Sequence, residues 1–410
     1  MSRYYMGGIC GMGMSPLAAF LAEEGCEIDG LDDAPNPELK KKLEAIGVKF
    51  RAPGGRYDGI VISTALARRK GEFEPFCDPE NIMRRGECWA KICKPRKLTA
   101  VVGSHGKSTV SALMAHAITK LGLDGGYLVG AIPNGFPMHR HCAEGKTVIS
   151  EIDESDATIE NFSPEITVAL NADLDHTDTY ADEDKLAQMF ARLFSRTKGT
   201  VVYPSSDAVL AEAARRSAAR AVAVQIGGDY FSINKQMALA GLKATFPNAD
   251  FPENIFDDFA GLQRRNEKIF DNGRLEVVSD YAHHPNEVKS FLARYLPQSD
   301  AETFVFFQPH RYTRTKRFAA DFAKILSAAA HESGARIFVL PVYAASEIPD
   351  PLGESDAITK PASPEIKLAR FGDFFNMANS LLENRRRARI AFVGAGDFHF
   401  AAKKFFSEIK

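Results

Sequence analysis

Apolar stretches alternate with amphipathic ones from the first residues of the chain. In the segment 1–94, the pattern predicts strands at Tyr4–Ile9, Cys26–Leu31 and Gly59–Ser63, and helices at Ser15–Glu24 and Asn36–Ile46. The third strand is continuously apolar, as are strands buried on both faces of a parallel sheet. This order of strands and helices predicts a doubly wound α/β sheet.

The same alternation starts again after Lys94-Pro95-Arg96, which has the composition of a linker. The predicted strands of this second segment are Leu98–Val102, Thr147–Ile152, Ile166–Asn171 and Thr200–Tyr203. Its predicted helices are Lys107–Leu121, Asp184–Ser195, an alanine- and arginine-rich stretch at 207–221, and Ser232–Thr245. A stretch rich in Pro, Asn and Asp at 247–258 predicts a second linker.

A third segment repeats the pattern, with predicted strands at Leu275–Ser279, Thr303–Phe307, Ile337–Pro341 and Ile390–Val393. Its clearest helix is Lys316–Ala330, where one face carries Phe318, Phe322, Ile325 and Leu326. We therefore expect an α/β protein of three domains, with boundaries at 1–94, 95–250 and 251–410.

The composition is that of an ordinary globular chain. Its 410 residues are 45% hydrophobic and 25% charged. The net charge of −2 gives no overall electrostatic footprint, so we expect neither nucleic acid nor an anionic membrane as the main partner. No run of about 18 apolar residues is present, and no membrane insertion is expected.

The cysteines and the N-terminal segment both favour a cytoplasmic protein. Six cysteines are scattered without a C-x-x-C pair, which indicates reduced thiols rather than a zinc knuckle or a disulfide framework. The N-terminal segment lacks the charged region, the long apolar core and the cleavage site of a signal peptide. The sequence predicts no oligomeric state.

The strongest local signal is the loop Gly103-Ser104-His105-Gly106-Lys107-Ser108-Thr109, which follows a predicted strand and opens a predicted helix. Amide groups at a helix N-terminus point at an anion, and the helix dipole favours negative charge. Lys107 would reach the β- and γ-phosphates of ATP, and Ser108 would place its hydroxyl on Mg²⁺. Two residues separate the glycines where a standard phosphate loop has about four. The alternative is an ordinary turn with a surface lysine.

Two acidic segments follow predicted strands, at the edge where open α/β sheets bind ligands. The first begins at Glu151, and the second runs from Asn171 to Asp178 and contains Asp175 and His176. Carboxylate oxygens are hard ligands that suit Mg²⁺. The alternative for Glu151 is a solvated charge on a loop.

Two further segments of the third domain carry charged and imidazole side chains. Asp280 is followed by the adjacent pair His283 and His284, which is not a metal motif by itself and could cap a helix. The stretch Phe307–Thr315 carries Arg311 and Arg314. Arginine forks match carboxylate and phosphoryl oxygens. The alternative is a basic solvated loop.

The N-terminal turn Gly8-Ile9-Cys10-Gly11-Met12-Gly13-Met14-Ser15 leads into a helix, which suits a diphosphate. Alone it could equally bind NAD, and Asp32 after the second strand would fit an NAD ribose. The choice between NAD and another diphosphate ligand, such as a UDP-linked substrate, depends on the rest of the sequence.

Taken in chain order, these segments resemble motifs of the Mur ligases. The compressed loop is similar to the family pattern Gly-Thr-x-Gly-Lys-Thr/Ser, with Ser104 at the threonine position. The acidic segments, the stretches Asp280–Glu287 and Phe307–Thr315, the N-terminal turn and Arg264-Arg265 are similar to motifs of its L-alanine-adding members. The resemblance covers nearly the whole chain and ends with Val393-Gly394-Ala395-Gly396-Asp397.

The resemblance implies a role for each motif residue. The implied ATP-binding residues are Gly103, Ser104, His105, Gly106, Lys107, Ser108, Thr109, Asn234, Arg265, Asp280 and His283. Mg²⁺ would be held by Ser108, Glu151 and His176, and the UDP-sugar by Gly11, Gly13, Ser15 and Asp32. Arg311 and Arg314 would hold the carboxylate of the amino acid and the charge of the intermediate. These two arginines, Lys107 and His176 form the implied catalytic set.

The implied activity is ATP-dependent ligation of an amino acid, with L-alanine expected, to the lactyl carboxylate of UDP-N-acetylmuramate in peptidoglycan synthesis. The implied fold has a Rossmann-like N-terminal domain, a central P-loop-type ATPase domain and a Rossmann-like C-terminal domain. The alternatives are a different amino acid, a peptide, or a nucleotide-binding homologue without turnover.

The central domain departs from the family pattern. In the adenine-side turn at 228–234 only Asn234 matches, and the segment between His176 and Gly227 is short. Both features predict a divergent, shortened central domain.

Overall fold

The computed structural model describes residues 2–33, 35–153, 158–173, 182–298, 301–345, 347–383 and 386–409. The chain forms two compact units, Met1–Ala260 and Gly261–Lys410. Among the described residues, no helix combines the length and the apolar character needed to cross a bilayer.

The first sheet of the unit Met1–Ala260 is parallel, with the strand order β3-β2-β1-β4-β5. Its strands are β1 (Arg3–Gly7), β2 (Glu27–Leu31), β3 (Lys49–Phe50), β4 (Gly59–Ile62) and β5 (Ile82–Arg84). The helices of this segment are α1 (Met14–Glu23), α2 (Pro37–Ala45) and α3 (Arg85–Cys93). Because β1 pairs with both β2 and β4, the strand order reverses beside β1, and ligands of doubly wound sheets bind at such a point.

The second sheet has the strand order β12-β11-β10-β6-β9-β7-β8. Its strands are β6 (Lys97–Val102), β7 (Gly125–Leu128), β8 (His139–Arg140), β9 (Thr147–Glu151), β10 (Ile166–Ala169), β11 (Thr200–Pro204) and β12 (Arg220–Val224). The helices are α4 (Lys107–Lys120), α5 (Glu183–Arg196), α6 (Ala208–Arg215) and α7 (Tyr230–Thr245). Within this second sheet, the pairing of β7 with β8 is the only antiparallel one among the described strands. The central strand β6 lies between β9 and β10, so the segments that follow these three strands share one edge.

Helix α3 packs between the first and second sheets. The indole of Trp89 meets the ring of Phe20 edge-on at 5.1 Å, and its Nε1 donates to the Ser150 hydroxyl on β9 at 2.9 Å. Trp89, Phe20 and core residues of both sheets belong to one buried apolar cluster. The two sheets of this unit are therefore joined by a continuous core.

The unit Gly261–Lys410 has a third sheet with the strand order β13-β14-β18-β15-β16-β17. Its strands are β13 (Glu267–Asp271), β14 (Leu275–Asp280), β15 (Glu302–Phe307), β16 (Arg336–Val339), β17 (Lys367–Leu368) and β18 (Ala388–Val393). The helices are α8 (Pro285–Tyr295), α9 (Tyr312–Ser333), α10 (Asp356–Thr359), α11 (Phe371–Glu383) and α12 (Phe398–Ser407). One face is packed with aromatic rings around Phe374, which contacts Phe306, Phe392 and Phe398 edge-on.

The predicted α/β fold class is confirmed, since each predicted segment contains a sheet with helices packed on it. The boundaries 1–94, 95–250 and 251–410 stay a prediction.

The single long helix predicted at 207–221 is wrong. Helix α6 ends at Arg215, and Arg220–Val224 forms strand β12 beside β11. The hydroxyl of Ser217 donates to the Phe194 carbonyl at 2.7 Å and accepts from the Ala219 amide at 3.0 Å, which turns the chain. Pairing with β11 therefore overrides the helix propensity of an alanine-rich stretch.

Candidate active site

The predicted ATP loop lies between β6 and the N-terminus of α4. Gly106 precedes α4 with a left-handed φ of 87°, which favours glycine, and no side chain caps the helix within the described residues. The amide groups of the first helical turn are therefore available for an anion. Asn171 braces the loop, because its Oδ1 accepts from the His105 amide at 2.9 Å and its Nδ2 donates to the His105 carbonyl at 3.0 Å.

Lys107 folds back over this loop. Its Nζ donates to the Gly103 carbonyl at 2.6 Å and lies 3.4 Å from the Ser104 carbonyl. The hydroxyl of Ser104 donates to the Asp173 carbonyl, which ties the loop to the segment after β10. The ammonium group is thus held where phosphate oxygens bound to the loop would meet it.

Asn234 on α7 lies directly against the loop. A Cβ atom built on Gly106 would be 2.8 Å from the Asn234 Oδ1 and 3.2 Å from the Tyr230 hydroxyl. Asn234 is only 4% exposed, and its Nδ2 has no hydrogen-bond partner in the part of the chain that the structure describes. The one asparagine that matches the family turn therefore presents a buried donor beside the loop.

Glu151 ends β9 next to the same loop. The Ser108 hydroxyl donates to its carboxylate, and burial raises the pKa of Glu151 against the opposing effects of Ser108, Lys107 and Arg85. Its Oε2 is buried without a hydrogen-bond partner among the described residues. A Cβ atom on Gly130 would lie 1.7 Å from its Oε1, so the carboxylate fits only against a glycine.

These features suit a divalent cation. Mg²⁺ takes oxygen ligands and is held in many sites by one or two carboxylates together with substrate phosphates and water. Within the described ranges, no group of three or more His, Cys, Asp or Glu side chains could hold a metal. Glu151 and Ser108 would therefore share the ion with the substrate. His176, the third predicted ligand, lies outside the described residues.

The N-terminal glycine turn lies between β1 and α1. The Gly8 amide donates to the Leu31 carbonyl at 2.8 Å, and the Cys10 amide donates to Asp32 Oδ2 at 2.9 Å. Asp32 therefore stabilises the turn itself. Ser15, in the first turn of α1, is 3% exposed, and its hydroxyl has no partner among the described residues. The turn brings Gly11, Gly13 and Ser15 to one helix N-terminus, as predicted for a diphosphate site.

Asp280 organises the corresponding edge of the third sheet. Its carboxylate accepts from the Asn266 amide at 2.8 Å and from the Ala282 amide at 2.9 Å. Burial raises the pKa of Asp280, and Arg265, the Ala282 amide and Arg294 oppose that effect. Asp280 thus connects, through these hydrogen bonds, the turn after β14 with the turn that contains Arg265.

Two histidines near this edge have opposite tautomers. His283 Nδ1 lies 2.8 Å from the Tyr281 carbonyl, which can only accept, so Nδ1 carries the proton and Nε2 is an acceptor. Arg314 donates to His310 Nδ1 at 3.2 Å, so the proton of His310 is on Nε2. The two rings are 5.6 Å apart. The pair therefore offers one acceptor and one donor.

Both histidines are neutral near pH 7. Burial lowers the pKa of His283 to about 4 and the pKa of His310 to about 2. Neighbouring positive charges, including that of Arg314, act in the same direction on both rings. The positive charge of this cluster therefore comes from its arginines.

Arg311 immediately precedes α9 and has an unusual backbone conformation. Its φ is 71°, and its amide donates to the Tyr343 carbonyl at 2.8 Å. Left-handed conformations of residues other than glycine cost energy and cluster at functional sites. Arg311 is exposed, and its charge also lowers the pKa of His310. Arg265, Asp280, His283, Arg311 and Arg314 are thus neighbours along one edge.

Some residues of these sites were not identified from the sequence. Arg85, Tyr230, Tyr281 and His310 contact predicted site residues but have no predicted role. Tyr230, Tyr281 and His310 lie inside segments that the sequence singles out, so their place in those segments was the available signal. For Arg85 the signal is three-dimensional contact.

Two family models match the chain. Residues 3–93 match the Mur ligase family catalytic domain, and residues 101–245 match the Mur ligase middle domain. The UDP-N-acetylmuramate–L-alanine ligase of Coxiella burnetii (strain RSA 493 / Nine Mile phase I) is 30% identical over 404 residues, which cover 86% of each chain. The chain belongs to the Mur ligase family. The ligase of the same name from Mycolicibacterium gilvum is 27% identical, covering 100% of this chain and 97% of its own.

Solved structures of Mur ligases share the fold. The UDP-N-acetylmuramate–alanine ligase of Thermotoga maritima aligns with a TM-score of 0.74 at 20% identity, over 100% of this chain and 99% of its own. A murein peptide ligase from Psychrobacter arcticus aligns with a TM-score of 0.68 at 17% identity, over 99% and 98%. At these identities the likeness establishes the Mur ligase fold alone. The glycine turn and the ATP loop both lie in segments matched by the Mur ligase models.

Proposed function

We propose that this chain is a cytoplasmic, ATP-dependent ligase that joins L-alanine to the lactyl carboxylate of UDP-N-acetylmuramate, releasing ADP and phosphate. The observation that carries the proposal is the buried carboxylate of Glu151, which accepts from Ser108 beside the lysine of a phosphate loop. The names of relatives at 27–30% identity support the choice of substrates.

In the unit Met1–Ala260, the loop Gly103–Thr109 binds the phosphates of ATP through its amide groups, and Lys107 neutralises the charge that develops on the transferred phosphoryl group. Asn234 contacts the nucleotide next to Gly106. Glu151 and Ser108, with His176, would hold Mg²⁺, which would supply charge neutralisation at the phosphates. Gly11, Gly13 and Ser15 bind the diphosphate of the UDP-sugar in a turn stabilised by Asp32.

The chemistry has two steps. A carboxylate oxygen of the sugar forms a bond to the γ-phosphorus of ATP, and the bond from that phosphorus to the bridging oxygen breaks, which releases ADP. The amine nitrogen of L-alanine then forms a bond to the activated carbonyl carbon and loses a proton. Phosphate leaves with the oxygen that came from the carboxylate. Water has to be excluded between the steps, because it would hydrolyse the acyl phosphate.

In the unit Gly261–Lys410, Arg311 and Arg314 bind the carboxylate of L-alanine through their guanidinium groups. Arg314 is oriented by its hydrogen bond to His310. His283 offers an unprotonated Nε2 as an acceptor, which fits an N–H group of the nucleotide or the amino acid. Asp280 and Arg265 complete the nucleotide contacts, at the ribose and a phosphate respectively.

The test is release of phosphate from ATP in the presence of Mg²⁺, with UDP-N-acetylmuramate and a panel of L-alanine, glycine, L-serine and a tripeptide. We expect release only when the sugar nucleotide and L-alanine are both present, with the ligated product formed in equal amount. A preference for the tripeptide would show that the chain adds a peptide and not a single amino acid. Phosphate release that does not depend on the sugar nucleotide would contradict it.

A further inference from the structure

Arg85 is the first residue of α3 and is half-buried. Within the described residues, its guanidinium makes no hydrogen bond and no ion pair, whereas the adjacent Arg84 pairs with Glu87 at 3.1 Å. A half-buried guanidinium group that lacks such partners is a candidate for contact with an anionic ligand.

One side of Arg85 lies against the N-terminal glycine turn. A Cβ atom built on Gly13 would be 2.9 Å from both Cδ and Nε of Arg85 and 3.0 Å from its Cζ. Gly13 is the residue that immediately precedes α1. The guanidinium group is therefore in contact with the helix N-terminus that is expected to bind the diphosphate.

A second observation in the same turn points to a ligand. Ser15 is 3% exposed, and its hydroxyl has no hydrogen-bond partner among the described residues. Buried hydroxyl groups nearly always have a partner. An anion bound at the turn would accept from Ser15 and from the amide groups of α1, and Arg85 is already in place beside it.

Arg85 is also close enough to Glu151 for its charge to act on the carboxylate. The charge of Arg85 is one of the effects that stabilise the ionised Glu151 carboxylate, after those of Ser108 and Lys107. Helix α3 fixes this placement. A Cβ atom on Gly86 would lie 2.1 Å from the Thr158 hydroxyl, and Trp89 donates to Ser150, the residue before Glu151. Arg85 is thus held against the glycine turn, and its charge acts on the residue proposed to hold Mg²⁺.

We propose that Arg85 is a binding residue for the diphosphate of the nucleotide-sugar substrate. The guanidinium fork donates to two phosphate oxygens, and its positive charge offsets their negative charge. This assignment rests on the proposed function, because it names a contact of the same substrate. The competing role is purely structural, in which Arg85 only compensates the buried charge of Glu151.

The experiment measures binding of UDP and of UDP-N-acetylmuramate to the full chain without ATP, by calorimetry and by the fluorescence of Trp89, the one tryptophan of the sequence. Variants are Arg85→Gln and Arg85→Lys. The matched control is Lys91→Gln, which removes an exposed positive charge from the same helix. Binding of ATP with Mg²⁺ is measured in parallel, and thermal melting checks that each variant is folded.

We expect Arg85→Gln to weaken both UDP ligands by about 10- to 100-fold, the range for hydrogen bonds to charged groups, while ATP binding changes by less than about twofold. Arg85→Lys should give an intermediate loss, because it keeps the charge but not the fork, and Lys91→Gln should bind like the wild type. If Arg85→Gln does not fold, the Arg85→Lys variant decides by the same comparison.

Unchanged UDP binding by a folded Arg85 variant would overturn the proposal. Weakened ATP binding with unchanged UDP binding would also overturn it. That result would show that Arg85 only compensates the buried charge of Glu151. Both outcomes leave the proposed ligase function intact. A wild-type chain that binds no UDP compound would overturn the ligase function together with this assignment.

Discussion

The side-chain oxygen of Asn234 lies 2.8 Å from the position that a Cβ atom on Gly106 would occupy. Helix α7 therefore packs directly on the phosphate loop, although the two are far apart in the sequence. The contact places a buried amide donor beside the proposed ATP-binding loop.

Replacing Asn234 by Ala tests this contact. We expect the KM for ATP to rise by about tenfold, because a buried hydrogen-bond donor next to the loop is lost, while the KM values for the other substrates stay unchanged. The matched control is Lys243→Ala, an exposed residue near the end of the same helix. An unchanged KM for ATP would remove Asn234 from the nucleotide site.

Glu151→Gln should separate activity from stability. We expect a loss of activity of at least about 100-fold, because the ligand for Mg²⁺ is removed, and loss of the effect of Mg²⁺ on ATP binding. The melting temperature without Mg²⁺ should not fall, since burial raises the pKa of this carboxyl and its ionised form is disfavoured in the folded chain. A variant that is strongly destabilised without metal would indicate a structural carboxylate instead.

Arg314→Lys should impair use of the amino acid. Lysine keeps the charge but loses the planar fork and the hydrogen bond to His310 Nδ1. We expect the KM for L-alanine to rise by about 10- to 100-fold with little change in the KM for ATP. Arg317→Lys is the control, because Arg317 is exposed on the same helix. An equal effect of both substitutions would show that the helix, and not Arg314, is responsible.

Three histidines whose pKa values are lowered in the folded chain make stability depend on pH. Burial lowers the pKa of His283 to about 4, of His310 to about 2 and of His399 to about 3. The unfolded chain takes up these protons near pH 6.5, so the stabilisation is complete above that pH and is lost as the pH falls below it. We expect a loss of roughly 1 kcal/mol for each histidine at about pH 6.

The His399→Gln variant tests whether the lowered pKa of His399 contributes to this pH dependence. The melting temperature of the full chain is measured between about pH 8 and pH 5.5, where the variant should show a smaller decrease than the wild type. Its ring is held by a hydrogen bond between Nδ1 and the Ser279 hydroxyl at 2.8 Å, which a glutamine can replace. The same pH dependence in both proteins would contradict the assignment.

The sequence predicted features that depend on local order. The phosphate loop has a fixed spacing between a strand and a helix, so its place at the N-terminus of α4 followed from the pattern. Glu151 and Asn171 were predicted to share an edge with it because parallel strands present their carboxyl ends on one side.

Features that depend on packing between distant segments were not predicted. The contact of Arg85 with Gly13 requires α3 to lie beside the turn before α1, which no local spacing specifies. In the same way, pairing with β11 turned part of a predicted alanine-rich helix into β12. The tautomers of His283 and His310 follow from hydrogen bonds to Tyr281 and Arg314, which only the three-dimensional structure provides.

The most direct test of the central claim follows the lactyl carboxylate oxygens of UDP-N-acetylmuramate. The substrate is labelled with a heavy oxygen isotope at this carboxylate and converted with ATP, Mg²⁺ and L-alanine, and the released phosphate is analysed by mass spectrometry. Activation of the carboxylate by the γ-phosphoryl group predicts one labelled oxygen in each released phosphate and one in the new amide. Unlabelled phosphate would contradict this account.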